Sequence, residues 1–523
     1  MTAPRATDDH GAGGGAGQPG GHAHGHADRL PGVAVGGVPA RPGTDLPAGL
    51  LDGLVRALGR EAVITEPGSL LVYESDGLTA YRARPVVVVL PRDTEDVATV
   101  VKLLSDAEIP FVARGAGTGL SGGAVAVDNA AVISLARMDR ILDLDPVSRR
   151  ARVQPGVVNV ELSAAAAPHG LYYAPDPSSQ TVCTIGGNVA ENAGGPHCLK
   201  YGVTANHVVG LKVVLPDGSV SELRRGEDNG LDLVGLFVGS EGTFGIATEI
   251  DVRLLPVPEA VETLLALFDD IDDASRVVSA IIGSGLLPAA LEMVDREAIM
   301  AVEASAYAAG TPTDVAGALV IEFDGPSAEV QGDAARAEGI CREGGARDVQ
   351  RAADEADRQR LWHARKKAFG AMGRIAPDVL VQDAVVPRSR LPEVLRSVYE
   401  IAGRYELRMC NMFHAGDGNL HPTIVFDRRD PGLVHRVEQA SAEMMKACVD
   451  AGGTITGEHG VGMDKRDYMQ LVFSPAELDV FCSLRRIFDP CGLANPAKIL
   501  PVHSCREWVG PATRRVPAVD GTP

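Results

Sequence analysis

The 523-residue chain carries 49 Lys and Arg against 69 Asp and Glu, a net charge of −20, in a composition that is 45% hydrophobic and 23% charged. At about 150 residues per domain this length predicts two or three domains rather than one core. The acidic balance argues against a nucleic-acid partner, since phosphate binding needs basic patches, and no apolar run approaches the roughly 18 residues of a membrane span.

The stretch "DDHGAGGGAGQPGGHAHGHAD" (8–28) is glycine-rich and holds four of the thirteen histidines. It cannot bury a core, so residues 1–45 read as a disordered tail. Metal capture by His22, His24 and His26 is the alternative to a passive role. No charged segment leads into an apolar one, so no secretory signal is expected. The eight cysteines show no CxxC and no iron–sulfur spacing, and read as reduced thiols of a cytoplasmic protein.

Order is expected from about residue 46. "VVVVLP" (86–91) predicts a buried strand, followed by a helix N-capped by Thr94 with Glu95 and Asp96 in its first turn. "PFVARG" (110–115) predicts the next strand, completing a β-α-β unit that ends in glycines. From there to about 255 the text is mostly short strands and turns. After "PVPEA" (256–260) two strand–helix–strand units predict an antiparallel sheet with helices on one face, the α+β pattern, and a boundary near 258.

"RGAGTGLSGGA" (114–124) contains a formal G-x-G-x-x-G at Gly117, Gly119 and Gly122. A Rossmann site needs a helix directly afterwards, and "AVAVDNAAVISLARM" predicts strand and turn instead. Five glycines in nine residues still let backbone N–H groups approach an anion, and Thr118 and Ser121 add hydroxyl donors. Two more backbone-accessible stretches, "PDPSSQTVCTIGGNVAENAGG" (175–195) and "GSEGTFGI" (239–246), suit an extended ligand such as a dinucleotide.

"HAGDGNLH" (414–421) lies between the strand texts "LRMCNMF" and "PTIVF". If Asp417-Gly418 forms a two-residue hairpin turn, His414 pairs with His421 and both rings share one face. "GEHG" (457–460) supplies a carboxylate, Glu458, and a further imidazole, His459. Two histidines and a carboxylate form a common first-row metal set; an exposed hairpin with neutral histidines is the bland alternative. His459, with an unperturbed pKa near about 6.5, suits proton removal. "LWHARKKAFG" (361–370) is a basic cluster that could equally be a solvated helix face.

Together these motifs, with "NPAKILP" (495–501), resemble the p-cresol methylhydroxylase/vanillyl-alcohol oxidase superfamily over roughly residues 50–505. Within it the chain looks most like the FAD-linked subunits of bacterial glycolate oxidase and their D-lactate dehydrogenase relatives. The resemblance implies an α+β fold: an FAD-binding domain at 46–258, a substrate-binding and catalytic cap domain with an antiparallel sheet and a C-terminal flavin-contacting segment at 259–505, and a tail at 506–523. Arg114, Gly115, Gly117, Thr118, Gly119, Ser121 and Gly122 would hold the pyrophosphate. Pro175, Asp176, Ser179, Gly187, Asn188, Asn192 and Gly195 would line the flavin. Glu241, Gly245 and Ile246 would lie on the adenosine side, and Asn495 near the isoalloxazine ring. The loop lacks the histidine of covalently flavinylated members, so noncovalent FAD is expected.

The same resemblance implies that His414, His421 and Glu458 bind a divalent ion, zinc or manganese. It also implies that Arg365 grips the substrate carboxylate while His459 takes the hydroxyl proton and the α-hydrogen leaves as hydride to the flavin. In D-2-hydroxyglutarate dehydrogenases a lysine two residues before an aspartate grips a second carboxylate. Before Asp383 that place is Val381, which favours a small 2-hydroxy acid such as glycolate or D-lactate. Electrons would pass to an iron–sulfur partner, with a second flavin-domain subunit, bringing the protein peripherally to the inner membrane face. A standalone enzyme with a soluble acceptor, and a non-redox synthase on the same flavin fold, stay open.

Overall fold

The computed structural model describes residues 46–47, 49–127, 129–226 and 230–501; the histidine-rich stretch and the expected C-terminal tail lie outside the described residues. A four-stranded sheet runs in the order Val63–Ile64, Val87–Val89, Ala131–Ser134, Phe111–Arg114, with the last three strands parallel. The helix Thr94–Asp106 is the expected crossover. Its N-cap is Asp93 rather than Thr94: Asp93 is extended and its carboxylate accepts from the Asp96 amide, the pairing that satisfies an otherwise unpartnered first-turn N–H. Thr94 is instead the first helical residue, and its hydroxyl donates to the Thr248 hydroxyl at 2.9 Å.

A second, five-stranded antiparallel sheet has the order Ile141–Asp145, Arg150–Val153, Ile246–Arg253, Val208–Val214, Val220–Arg224. The chain then builds a seven-stranded antiparallel sheet: Ala346–Arg351, Ala260–Phe268, Gly317–Gly325, Ala290–Asp295, Arg408–Phe413, Pro422–Phe426, Asp378–Val381. Helices were expected on one face only, but both faces are covered. Leu264, Ala266 and Phe268 pack in the core containing the helices Ile271–Gly283 and Ser327–Glu343. Their neighbours Leu265 and Leu267 pack in another core, with the helices Arg296–Glu303 and Glu355–Met372. Successive side chains of a strand point to opposite faces, so the unbroken apolar run "LLALF" already required cover on both.

The end of the described chain returns to the first sheet. The Phe111 amide donates to the Leu493 carbonyl at 2.9 Å and the Asn495 amide to the Phe111 carbonyl at 2.8 Å. Among the described residues six cysteines are free thiols, whereas Cys482 is disulfide-bonded, contrary to the expectation of reduced thiols throughout. No helix among the described residues is long and apolar enough to cross a membrane.

Candidate active site

A cavity of about 430 Å³ runs from the glycine-rich loop to the histidines. Its first wall is the segment Arg114–Leu120. Among the described residues, no backbone amide from Gly115 to Ser121 donates to another backbone carbonyl, so the loop offers a set of unused donors suited to a pyrophosphate. Gly115 has no room for a side chain, since a Cβ there would lie 2.3 Å from the Thr184 hydroxyl. Gly117 has φ +71° and lies under the Arg114 guanidinium, which donates to the Ser75 carbonyl. These features fit a dinucleotide cofactor.

Ser179, Gly187, Asn188, Glu241 and Asn495 also line the cavity. The remaining candidates of the flavin set sit behind its lining. Ser121 accepts amides of Met463 and Asp464 through its carbonyl, and Gly122 (φ +75°) packs on Met463 and Tyr81. Pro175 receives the Asn159 amide, and Asn192 accepts from the Ala205 amide. Gly195 (φ +145°) lies against the Asp176 backbone, as Gly245 (φ +138°) does against Val214. Ile246 is buried in the core. The Glu241 carboxylate accepts the amides of Val461 and Gly462, each at 2.7 Å, and so ties down the loop that follows His459.

The far wall carries Arg365, His421, Glu458 and His459. The hairpin register differs by two residues from expectation: His414 pairs with Asn419, and Asn411 with Pro422. The turn is a four-residue loop, Ala415 to Gly418, pinned because the Gly416 amide donates to Leu291 and the Val386 amide to Gly418. His421 falls between Asn419–Leu420, which pair with Ala384–Val385, and Pro422–Phe426. The change of sheet partner at this residue still brings its ring to 5.1 Å from that of His414, edge on.

Ligand atoms of His414, His421 and Glu458 lie within 4.8 Å of one another. The His421 Nε2 and His459 Nδ1 atoms are buried without a hydrogen-bond partner, an arrangement that a bound ion and a substrate hydroxyl would satisfy. His414 Nδ1 lies 2.7 Å from Glu292, and its Nε2 lies 2.8 Å from Glu458. A carboxylate on the outer ring nitrogen is the usual support of a ligating histidine. Burial opposes charge on His414, but Glu292 and Glu458 outweigh it and hold its pKa well above 6.5. Burial would raise Glu458, yet the three histidines bring it to about 2. Burial lowers His459 to about 4, the nearby Asp383 notwithstanding, so its ring is neutral and able to accept a proton.

Asp383, His421 and His459 form a second cluster of metal-capable groups. The Asp383 carboxylate is already committed, accepting from the Thr456 hydroxyl (2.6 Å), the Gly457 and His459 amides (3.1 and 3.0 Å) and Lys465 Nζ (2.8 Å). It shapes the "GEHG" loop rather than offering a ligand. Asp383→Asn is expected to strand the buried Lys465 charge and lower stability by about 3–5 kcal/mol, read as a shifted urea midpoint.

Arg365 projects from the helix Glu355–Met372, which lies on the sheet face bearing Glu292 and Glu322. Arg358, Trp362 and Arg365 recur at one-turn and two-turn spacing along one helical face. Arg365 Nε donates to Glu292 at 2.6 Å, and Trp362 Nε1 and Arg358 donate to Glu322 at 2.7 and 3.2 Å. Glu322 also meets His197, whose other nitrogen lies 2.7 Å from Asp176. Burial opposes charge on His197, but Asp176 and Glu322 raise its pKa from 6.5 to about 10. A raised pKa stabilises fully below the unfolded value and fades as pH climbs through the folded one. Stability is therefore expected to fall between pH 7 and 10, and His197→Gln to flatten that fall in urea titrations.

Glu292, Glu322, Asp383, Lys465 and His197 are site residues that the motifs did not single out. A lone Glu in a strand apolar on both faces, as in "AALEMVD", is the signal that Glu292 offered.

Residues 257–499 match the family of FAD linked oxidases, C-terminal domain, and residues 85–224 match an FAD binding domain. The chain is 47% identical over 442 residues to the glycolate oxidase subunit GlcD of Escherichia coli K12, spanning 84% of this chain and 88% of that protein. It is 34% identical over 440 residues to a D-lactate dehydrogenase of Anaerostipes hadrus, spanning 82% and 92%. The solved structure of p-cresol methylhydroxylase with substrate bound aligns with a TM-score of 0.72 at 17% identity, over 87% of this chain and 97% of that one. The expected fold class is therefore the observed one.

Proposed function

Because the chain belongs to the FAD-linked oxidases, alongside GlcD subunits and D-lactate dehydrogenases, we propose that it oxidises a small 2-hydroxy acid to the 2-oxo acid. Glycolate and D-lactate are the substrates that the relatives' names suggest. The observation supporting this reading is the single cavity that joins the glycine-rich loop to Arg365, His421, Glu458 and His459.

In this reading Arg114 to Gly119 hold the FAD pyrophosphate through backbone donors, and Asn188 and Asn495 border the ring. Bound FAD supplies the two-electron acceptor for the α-hydrogen. His414, His421 and Glu458 hold a divalent ion, whose chemistry toward the substrate hydroxyl is that of a Lewis acid. Arg365 presents its terminal nitrogens to the substrate carboxylate, since its Nε is already held by Glu292. His459, neutral through burial, accepts the hydroxyl proton. Its ring is stacked on His421 at 4.8 Å, which fixes its direction. Val381 lines the cavity, and an aliphatic side chain there offers no second carboxylate a partner, which favours a small monocarboxylate. The electrons pass to an external acceptor; an iron–sulfur subunit and a second flavin subunit, with peripheral membrane attachment through them, complete the proposal.

The test is an anaerobic visible spectrum of the purified protein before and after glycolate or D-lactate. Bleaching of the flavin band is the expected result, and the faster acid ranks as substrate. A bound flavin that neither acid reduces, with metal supplied, overturns the dehydrogenase reading in favour of a non-redox synthase.

A further inference from the structure

Glu292 is fully buried on the strand Ala290–Asp295. Its two oxygens have different partners: Oε1 lies 2.7 Å from His414 Nδ1, and Oε2 accepts from Arg365 Nε at 2.6 Å. A carboxylate is costly to bury unless both oxygens are satisfied. Here each partner belongs to a different half of the proposed chemistry. We propose that Glu292 is a positioning residue that couples the two substrate anchors, setting the His414 tautomer for the metal and the Arg365 fork for the substrate carboxylate. The inference rests on the reading of the site given above.

The geometry explains why one residue serves both. With Nδ1 donating to Glu292, His414 presents Nε2 toward Glu458 at 2.8 Å, where a bound ion would take the place of the proton. With Nε engaged, the Arg365 guanidinium plane is fixed and its terminal N–H groups are left for a planar acceptor. Both anchors therefore hang from one rigid group on a central strand of the seven-stranded sheet, rather than from two loops. A 2-hydroxy acid carries its carboxylate and hydroxyl on adjacent carbons, so a fixed separation between the anchors selects that spacing.

A glutamine of nearly the same shape cannot replace both functions. Its carbonyl oxygen can accept from Arg365 only if its NH₂ faces His414, which forces the opposite tautomer and puts an N–H toward the ion. Flipped, it accepts from His414 but sets two donors against each other at Arg365.

The experiment measures two affinities in Glu292→Gln beside the wild-type holoenzyme. Zinc and manganese affinity is read by competition with a chromophoric chelator. Propionate, a carboxylate without the hydroxyl, is titrated into metal-free flavoprotein and followed by the flavin spectrum, which reports Arg365 alone. One of the two affinities is expected to fall about 10–100-fold, the usual effect of losing an outer support of a metal ligand, while flavin content stays at the wild-type level. Glu292→Asp retains the charge but is one methylene too short to span both partners; it is expected to show the same split, and replaces Glu292→Gln if that variant does not fold. Both affinities within twofold of wild type in the folded variant overturn the coupling. A wild type that binds no divalent ion overturns the metal reading itself, a separate outcome.

Discussion

Chelation of the divalent ion is expected to slow anaerobic flavin reduction by glycolate or D-lactate about 10³-fold, with recovery on adding zinc or manganese. A Lewis acid is worth several kcal/mol toward a developing alkoxide, and each 1.4 kcal/mol is about tenfold in rate. The variants His421→Asn and His414→Ala separate metal loss from damage to the fold. His421 Nε2 has no hydrogen-bond partner, so its replacement removes a ligand, while the neighbouring Glu458 and Asp383 carboxylates keep His414 and Lys465 as partners. His414→Ala strips one oxygen of the buried Glu292 and is expected to lower the unfolding midpoint as well. Stopped-flow reduction and metal analysis check the first effect, and urea unfolding the second. Full activity in protein shown to be metal-free would refute the assignment.

Arg365→Lys is expected to lower kcat/KM for the 2-hydroxy acid by about 10²–10³, chiefly through KM. Two charge-assisted hydrogen bonds at about 1.5–3 kcal/mol each set that scale. The single ammonium of lysine can pair with Glu292 or reach the substrate, and the buried carboxylate, already in place, is the stronger claimant. Arg365→Ala is a poorer probe, because Glu292 would be left uncompensated at a cost of about 3–5 kcal/mol and lost folding would mimic lost binding. Steady-state kinetics with a dye acceptor give the KM and kcat separately. A lysine variant with unchanged KM would remove Arg365 from substrate binding.

What the sequence revealed and what it hid divide along a physical line. The glycine-rich loop was legible because backbone access needs glycine, and the missing helix after it excluded a Rossmann site. The two histidines and "GEHG" were legible as chemistry, although their register was not: a two-residue turn was the local preference, and tertiary hydrogen bonds to Leu291 and Val386 imposed a wider loop. Glu292 was hidden, since a single acidic residue in a strand looks like a solvent-facing one until the other layer is placed; Asp383, noted only as a landmark after Val381, lies in the link between the strands Asp378–Val381 and Ala384–Val385. Their partners are distant in sequence, 73 residues for Arg365 and 82 for Lys465, and no window of residues holds both. Thr94 lost the cap to its neighbour for a subtler reason: both side chains can cap, and the extended backbone fell at Asp93.

The return of the chain to the first sheet bears on biogenesis. Asn495 Nδ2 donates to the Gly123 carbonyl, 372 residues earlier, and to the Glu241 carbonyl. During synthesis the early glycine loop therefore waits, without that wall, until residue 495 has left the ribosome. Contacts of such separation close slowly, so cofactor capture waits on residues made long after the loop itself. The first half expressed as a fragment would lack the strand-like lid that finishes its own pocket. Adding residues 475–501 in trans is then the complement that such a fragment needs.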